Sequence, residues 1–409
     1  MAPYESDDAV GAARDENPRS GRRKAARYAV PVAVVGVAAA TIGLVPALAS
    51  SGDPDLPRIT AQQLIEKMAK SDVQQLSGTV KISTDLGLPD LGGLESGMLS
   101  GAAQGSGDGS SADPRAKLTE LVSGTHTLRV AADGPDRQKV SLLESGAEYS
   151  LIHDGKDVWG YDSKSNEVYH STAADSGRHR EAEPPATPEN FADEALKAVD
   201  DTTSVTVDGT AHVAGRDAYK LLIQPRQSGS TVGAISIAVD AKTGVPLKFT
   251  LTPKSGGAAV VDAGYTQVSF ARPAASTFDF TPPKGAKVTE DKDAAKAPEH
   301  SREHGGDLAK GLGGKGMDGK GTGGLKVLGK GWTSVATFDT GAKGGMPTGS
   351  QGGDVGGFLG SLGDQVSGKF GKGTVFSTRL VNALVTDDGK VYAGAVTKDA
   401  LVKAADAGK

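Results

Sequence analysis

The chain has 409 residues, 37% hydrophobic and 5% aromatic, and its 57 glycines gather in a few stretches. That length suggests two or three domains, with the glycine-rich stretches serving as linker rather than core. A net charge of −5 with acids and bases interspersed leaves no basic stripe, which argues against nucleic acid as a partner; the absence of cysteine excludes disulfides, cysteine-ligated zinc, a thiol nucleophile and an acyl-modified cysteine.

Residues 1–27 are polar, end in the basic run GRRKAAR and read as a cytoplasmic segment. Tyr28 to Ala49 carries no charge and as a helix reaches roughly 33 Å, enough for the hydrocarbon core of a bilayer. With Arg22, Arg23, Lys24 and Arg27 before it, the positive-inside rule keeps the N-terminus cytoplasmic and sends everything after residue 50 outside. Its richness in Ala and Val, and Ala47-Leu48-Ala49, also fit a signal peptide cleaved after Ala49. The chain is thus either single-pass with an extracytoplasmic C-terminal part, or secreted. A buried core helix would need an apolar stripe, and this segment has no polar face.

Residues 50–58 form a tether, and the main domain is expected over 59–290. In TAQQLIEKMAKSD, Thr60 is placed to cap a helix whose Leu64, Ile65 and Met68 share one face. LSGTVKISTDL, Leu76 to Leu86, alternates as a strand, and the Gly/Ser-rich insertion 87–112 reads as a mobile loop. Further strands follow from His126, with hairpin signals at Gly134-Pro135, Asp154-Gly155 and Ser163 to Asn166. A two-residue turn at Asp154-Gly155 would set Leu151 opposite Val158 and Ile152 opposite Asp157. Ile152, Trp159 and Tyr161 then share one side, and Tyr149, Leu151 and Val158 the other.

A break at EPPATPEN leads to a second short helix in FADEALKAVDD. The later strands alternate cleanly: Tyr219, Leu221 and Ile223 share a face, as do Ile235, Ile237 and Val239, and Leu247, Phe249 and Leu251. Together these predict an α+β fold, an antiparallel sheet with one continuous apolar face and two helices available to cover part of it. Residues 291–325 are a Gly/Lys-rich linker, and 326–409 a small C-terminal α/β module in which GGFLGSLGDQVSG is a candidate helix. A module of this size is near the lower limit for an independent core, so it either stands alone or docks onto the main sheet.

Chemistry-bearing motifs are weak. His300 and His304 have helical ligand spacing around Glu303 but lie in the polar linker, and His126, His153, His170, His179 and His212 are scattered. Gly311, Gly313 and Gly316 satisfy GxGxxG without a preceding strand, and GDQVSGKF places Phe370 where a Walker A needs Ser or Thr. No GxSxG elbow occurs, and the carboxylate pairs Asp200-Asp201 and Asp387-Asp388 suit capping and turns.

The stretch LIHDGKDVWGYDSKSNEVYH resembles a hairpin of LolA-like proteins, the lipoprotein carriers, and of their RseB-like relatives. AYKLLIQP, IAVDAKTGVPLKF with its Asp-x-x-Thr-Gly turn, and the closing FDFTPPKGAKV add matches in the same order, over roughly residues 59 to 290. The family's Arg-Pro-Gly strand is replaced here by AADGPDRQKV. The resemblance, to a membrane-anchored member of actinobacterial type, implies a curved, half-open barrel with helices covering the concave face and an apolar cavity for acyl chains. On this reading the protein is no enzyme, needs no cofactor or metal, and binds lipid or a lipidated protein. The expected lining is Trp159, Tyr161, Tyr219, Leu221, Ile223, Ile235, Ile237, Val239, Leu247, Phe249 and Leu251. The rivals are an RseB-like envelope-stress sensor that contacts an anti-sigma factor, and a hydrolase, which would need a buried polar cluster with shifted pKa values.

Overall fold

The computed structural model describes residues 53–87, 110–114, 117, 121, 123–172, 187–290, 323–339 and 363–408. The cytoplasmic segment, the apolar span 28–49, most of the Gly/Ser insertion, His179, and the linker with His300, His304, Gly311, Gly313 and Gly316 lie outside the described residues. Among the described residues no helix is long and apolar enough to cross a membrane.

Helix α1, Ala61–Ala69, starts at a capping box: the Gln63 N–H donates to the Thr60 hydroxyl and the Thr60 N–H to the Gln63 carboxamide oxygen. Helix α2, Pro188–Lys197, begins earlier than FADEALKAVDD suggested. Thr187 and Asn190 form a second capping box, and Pro188 sits in the first turn, where its missing N–H is not needed.

Among the described residues twelve strands make the main sheet: β1 Gln75–Thr84, β2 Gly124–Asp133, β3 Arg137–Glu144, β4 Ala147–Asp154, β5 Asp157–Asp162, β6 Glu167–Thr172, β7 Thr203–Val213, β8 Arg216–Pro225, β9 Val232–Asp240, β10 Pro246–Pro253, β11 Val261–Ser269 and β12 Lys287–Glu290. Their order is β12-β6-β5-β4-β3-β2-β1-β11-β10-β9-β8-β7, an open sheet of two meanders joined where β1 pairs with β11. The short edge strand β12 runs parallel to β6, against the antiparallel expectation. One turn also differs: Asp154 pairs with Asp157, so the loop is Gly155-Lys156, with Gly155 at φ 65°. Ile152 therefore faces Trp159 and Leu151 faces Gly160. The displacement is even-numbered, so each side chain keeps the side expected for it.

The C-terminal sheet comprises β13 Gly323–Leu328, β14 Val335–Asp339, β15 Asp364–Gly368, β16 Gly371–Ser377, β17 Asn382–Thr386 and β18 Lys390–Gly394, in the order β13-β14-β18-β17-β16-β15. Helix α3, Lys398–Ala407, closes one face with Leu401 and Ala405 against Val335, Val375, Leu384 and Tyr392. The end of the stretch read as a candidate helix is strand β15, and its Walker-like GDQVSGKF is the β15–β16 hairpin with Phe370 buried in this core. The module docks on the main sheet. The Trp332 indole N–H donates to the Thr203 hydroxyl at 2.8 Å, the Thr397 N–H to the Gly229 carbonyl at 2.8 Å, and Arg379 to the Asp85 carboxylate at 2.6 Å and the Ala258 carbonyl.

Candidate functional site

Register shows which candidate residues meet. Tyr219, Leu221 and Ile223 on β8 stand opposite Val239, Ile237 and Ile235 on β9; Ile237 and Ile235 in turn face Phe249 and Leu251 on β10. Through Ala263 on β11 and Ile82 on β1 the same face continues to Leu128, Leu142 and Tyr149 on β2, β3 and β4. Eight of the expected residues thus share one apolar face. Leu221, Ile223, Ile237 and Val239 are fully buried on it, Tyr219, Ile235 and Phe249 nearly so, and Leu251 packs at its margin, while Leu247 is fully buried in the adjoining cluster with Ala263, Ile82 and Leu128.

Trp159 and Tyr161 are not among them. Tyr149 pairs with Asp162, so Asp162 lies on the apolar face and the neighbouring Tyr161, with Trp159, on the reverse. There Trp159 stacks on His170 with ring centroids 3.7 Å apart, and Phe280, on the chain leading to β12, packs against Trp159 and Tyr161. This second aromatic cluster had no local sequence signal, because His170 and Phe280 are far apart in the chain.

Three elements cover the β7–β11 part of the apolar face. Phe191 of α2 stacks on Phe249 at 5.3 Å, Leu64 of α1 is fully buried, and the strap of residues 53–59 lays Leu56 and Ile59 onto the same cluster. The strap is pinned to the sheet by the Tyr219 hydroxyl donating to the Pro57 carbonyl and the Thr210 hydroxyl to the Pro54 carbonyl, both at 2.9 Å. At the far end, Ser110, Ser111 and Ala112 close the same face. Ser110 and Ser111 donate to Glu167, the Tyr149 hydroxyl donates to the Ala112 carbonyl at 3.1 Å, and a Cβ at Gly160 would collide with that carbonyl. The Ser111 amide, with Lys287 and the serine hydroxyls, holds the Glu167 carboxyl down to about 2. The last residues of the Gly/Ser insertion are therefore anchored.

Polar side chains on this face gather at its β4–β6 end, where Lys117 pairs with Glu144 at 2.8 Å beside the buried Asp162, and Glu167 accepts from Ser110 and Ser111. The buried Asp240 ends β9 opposite Ala218, out of step with Tyr219 and Val239, and there Arg216 and the amides of Lys242 and Thr243 engage it. Among the described residues no three His, Asp or Glu side chains gather as a metal site. What the face does possess is a groove of about 730 Å³ between the strap, α1 and the β9–β10 turn. Tyr219 is the one expected residue that reaches it; Arg58, Ile59, Lys67, Val73 and Lys242 line it from separate segments, which is why no sequence pattern revealed it.

No family model matches the chain, and no curated protein matches it. Similar solved structures include the MucA/MucB complex of Pseudomonas aeruginosa, 14% identical over 84% of this chain and 96% of that one, with a TM-score of 0.36. An uncharacterized conserved protein from Thermus thermophilus is 15% identical over 56% of this chain and 99% of its own, with a TM-score of 0.31. A LolA superfamily protein from Nitrosomonas europaea is 11% identical over 55% and 99%, with a TM-score of 0.22. Overlap at this level carries no argument about activity, and the fold described above rests on strand order and register.

Proposed function

We propose that this protein is a non-enzymatic, extracytoplasmic binder of lipid or of the acyl chains of a lipidated protein, tethered through residues 28–49. The observation that supports the reading most is the continuous apolar face of an open sheet, closed over β7–β11 by two short helices and a strap rather than by a second sheet. The groove beside Tyr219 is where the cover is incomplete. Acyl chains enter there and displace α1 or the strap from Leu221, Ile237 and Phe249. Such a site needs apolar area and a movable cover, not acid–base groups. Saturable binding of a fluorescent fatty acid by the full chain, with a co-purified lipid in native mass spectra, is the expected result. A chain that captures no probe and carries no lipid would have an ordinary core here, and a protein partner retained without lipid would favour the sensor reading.

A further inference from the structure

The groove has a charge pattern that acyl binding alone does not use. Four cations line it, Arg58 on the strap, Lys67 and Lys70 on α1 and Lys242 on the β9–β10 turn, against two carboxylates, Glu66 and Asp72. Lys70 pairs with Glu66 at 3.8 Å, whereas among the described residues Arg58, Lys67 and Lys242 make no ion pair. Their backbones are held in place: Gly244, at φ 80°, sits under the Lys67 carbonyl, where a Cβ would approach to 2.5 Å, so the end of α1 rests directly on the turn that carries Lys242. The same groove is lined as well by Ile59, Val73 and the buried ring of Tyr219.

Unpaired cations beside apolar side chains in one open groove suit an amphiphile with an anionic head. Resting on the acyl-binding reading above, we propose that the groove takes the anionic headgroup, phosphate or carboxylate, of the bound amphiphile while its chain passes Tyr219 onto the apolar face. The head stays at the solvent edge, where three partly hydrated cations contribute modestly each and about tenfold together.

The test uses the full chain in phosphatidylcholine nanodiscs and two photoreactive probes with the same diazirine chain, a lysophosphatidate and an uncharged monoacylglycerol. Ionic strength is held constant, because exposed charges are screened. The lysophosphatidate should label peptides containing Ile59, Val73 and Tyr219 about tenfold more than the monoacylglycerol. The triple variant Arg58→Gln, Lys67→Gln, Lys242→Gln should lower it to the neutral level without changing monoacylglycerol labelling or the circular dichroism spectrum. Lys248→Gln, which removes a cation paired with Asp262 away from the groove, should change neither. Equal labelling of the parent by both probes overturns the headgroup assignment and leaves acyl binding standing. If neither probe labels, acyl binding fails as well. If inorganic phosphate displaces the lysophosphatidate at equal concentration, the groove is a phosphate site to which the chain adds nothing, which also overturns the proposal.

Discussion

His170 shows how one side chain can hold an edge strand. Its Nε2 meets Asp157 on β5 and its Nδ1 meets Glu290 on β12, each at 2.8 Å, with Trp159 stacked on the ring. Burial disfavours the charged ring, but the hydrogen bonds to Asp157 and Glu290 outweigh it and raise its pKa above the usual 6.5. A group raised on folding stabilises the fold fully below its unfolded pKa and loses that contribution as pH climbs through the folded one. Amide protection across Lys287–Glu290 should therefore fall as pH rises above about 6.5, after correction for intrinsic exchange, and His170→Phe should remove the dependence. Protection that stays constant over that range would disprove the latch. Asp240 plays the opposite part. It is 1% exposed; burial alone would raise its pKa, yet Arg216 and the Thr243 donors lower it, so its stabilisation is present above the ordinary carboxylate range and lost in acid. Asp240→Ala strands Arg216 and two turn amides, and should cost about 3 kcal/mol by urea unfolding. A loss under about 1 kcal/mol would mean that water replaces the carboxylate at no real cost.

At the scale of elements, the acyl-binding proposal requires the cover over the apolar face to move. Helix α1 has nine residues, one of them fully buried, and its capping box sits beside the groove. Thr60→Ala should weaken it by about 1 kcal/mol. If α1 competes with acyl chains for the face, that loss raises apparent probe affinity roughly fivefold, because the open state becomes more populated. Hydrogen exchange should quicken in Ala61–Ala69 and not in Pro188–Lys197. An unchanged or weaker affinity with a faster-exchanging α1 would show that α1 is core rather than cover. The capping residues of α1 and the alternation from Tyr219 to Leu251 were legible in the sequence because both are local patterns. The side taken by Trp159 and Tyr161 was legible only within their hairpin. Relating it to β8 means counting through the β1–β11 junction and past irregularities at Thr79/Val80 and Pro246/Lys248, each of which can reverse the alternation. The parallel strand β12 was hidden for a related reason: its four residues acquire meaning only from β6, far earlier in the chain.

Taken as a whole, the molecule uses opposite ends of β8 and β9 for different purposes. The groove lies where β8 begins and β9 ends, whereas the C-terminal module docks where β7 begins and around the β8–β9 turn. Docking there leaves the groove end free. Among the described residues the module's own core is small, eight buried residues around Leu384, Tyr392 and Leu401, and a core of that size is marginal alone. Its contacts with the main sheet are varied: the Trp332 indole packs at the edge of the main core and bonds Thr203, a bridge joins Ser230 to Val396, and Arg379 reaches Asp85 and the Ala258 carbonyl. Interactions of this kind couple the two sheets into one cooperative unit when the smaller cannot persist without the larger. Calorimetry of the full chain should then show one main transition. Trp332→Ala combined with Arg379→Ala removes an aromatic anchor and a half-buried ion pair, and should split off an earlier, smaller transition assigned to residues 323–408 by hydrogen exchange. The main sheet's own midpoint should shift little, since Trp332 touches only its margin. Two transitions already present in the parent would mean that the module folds on its own and that its docking contacts are incidental.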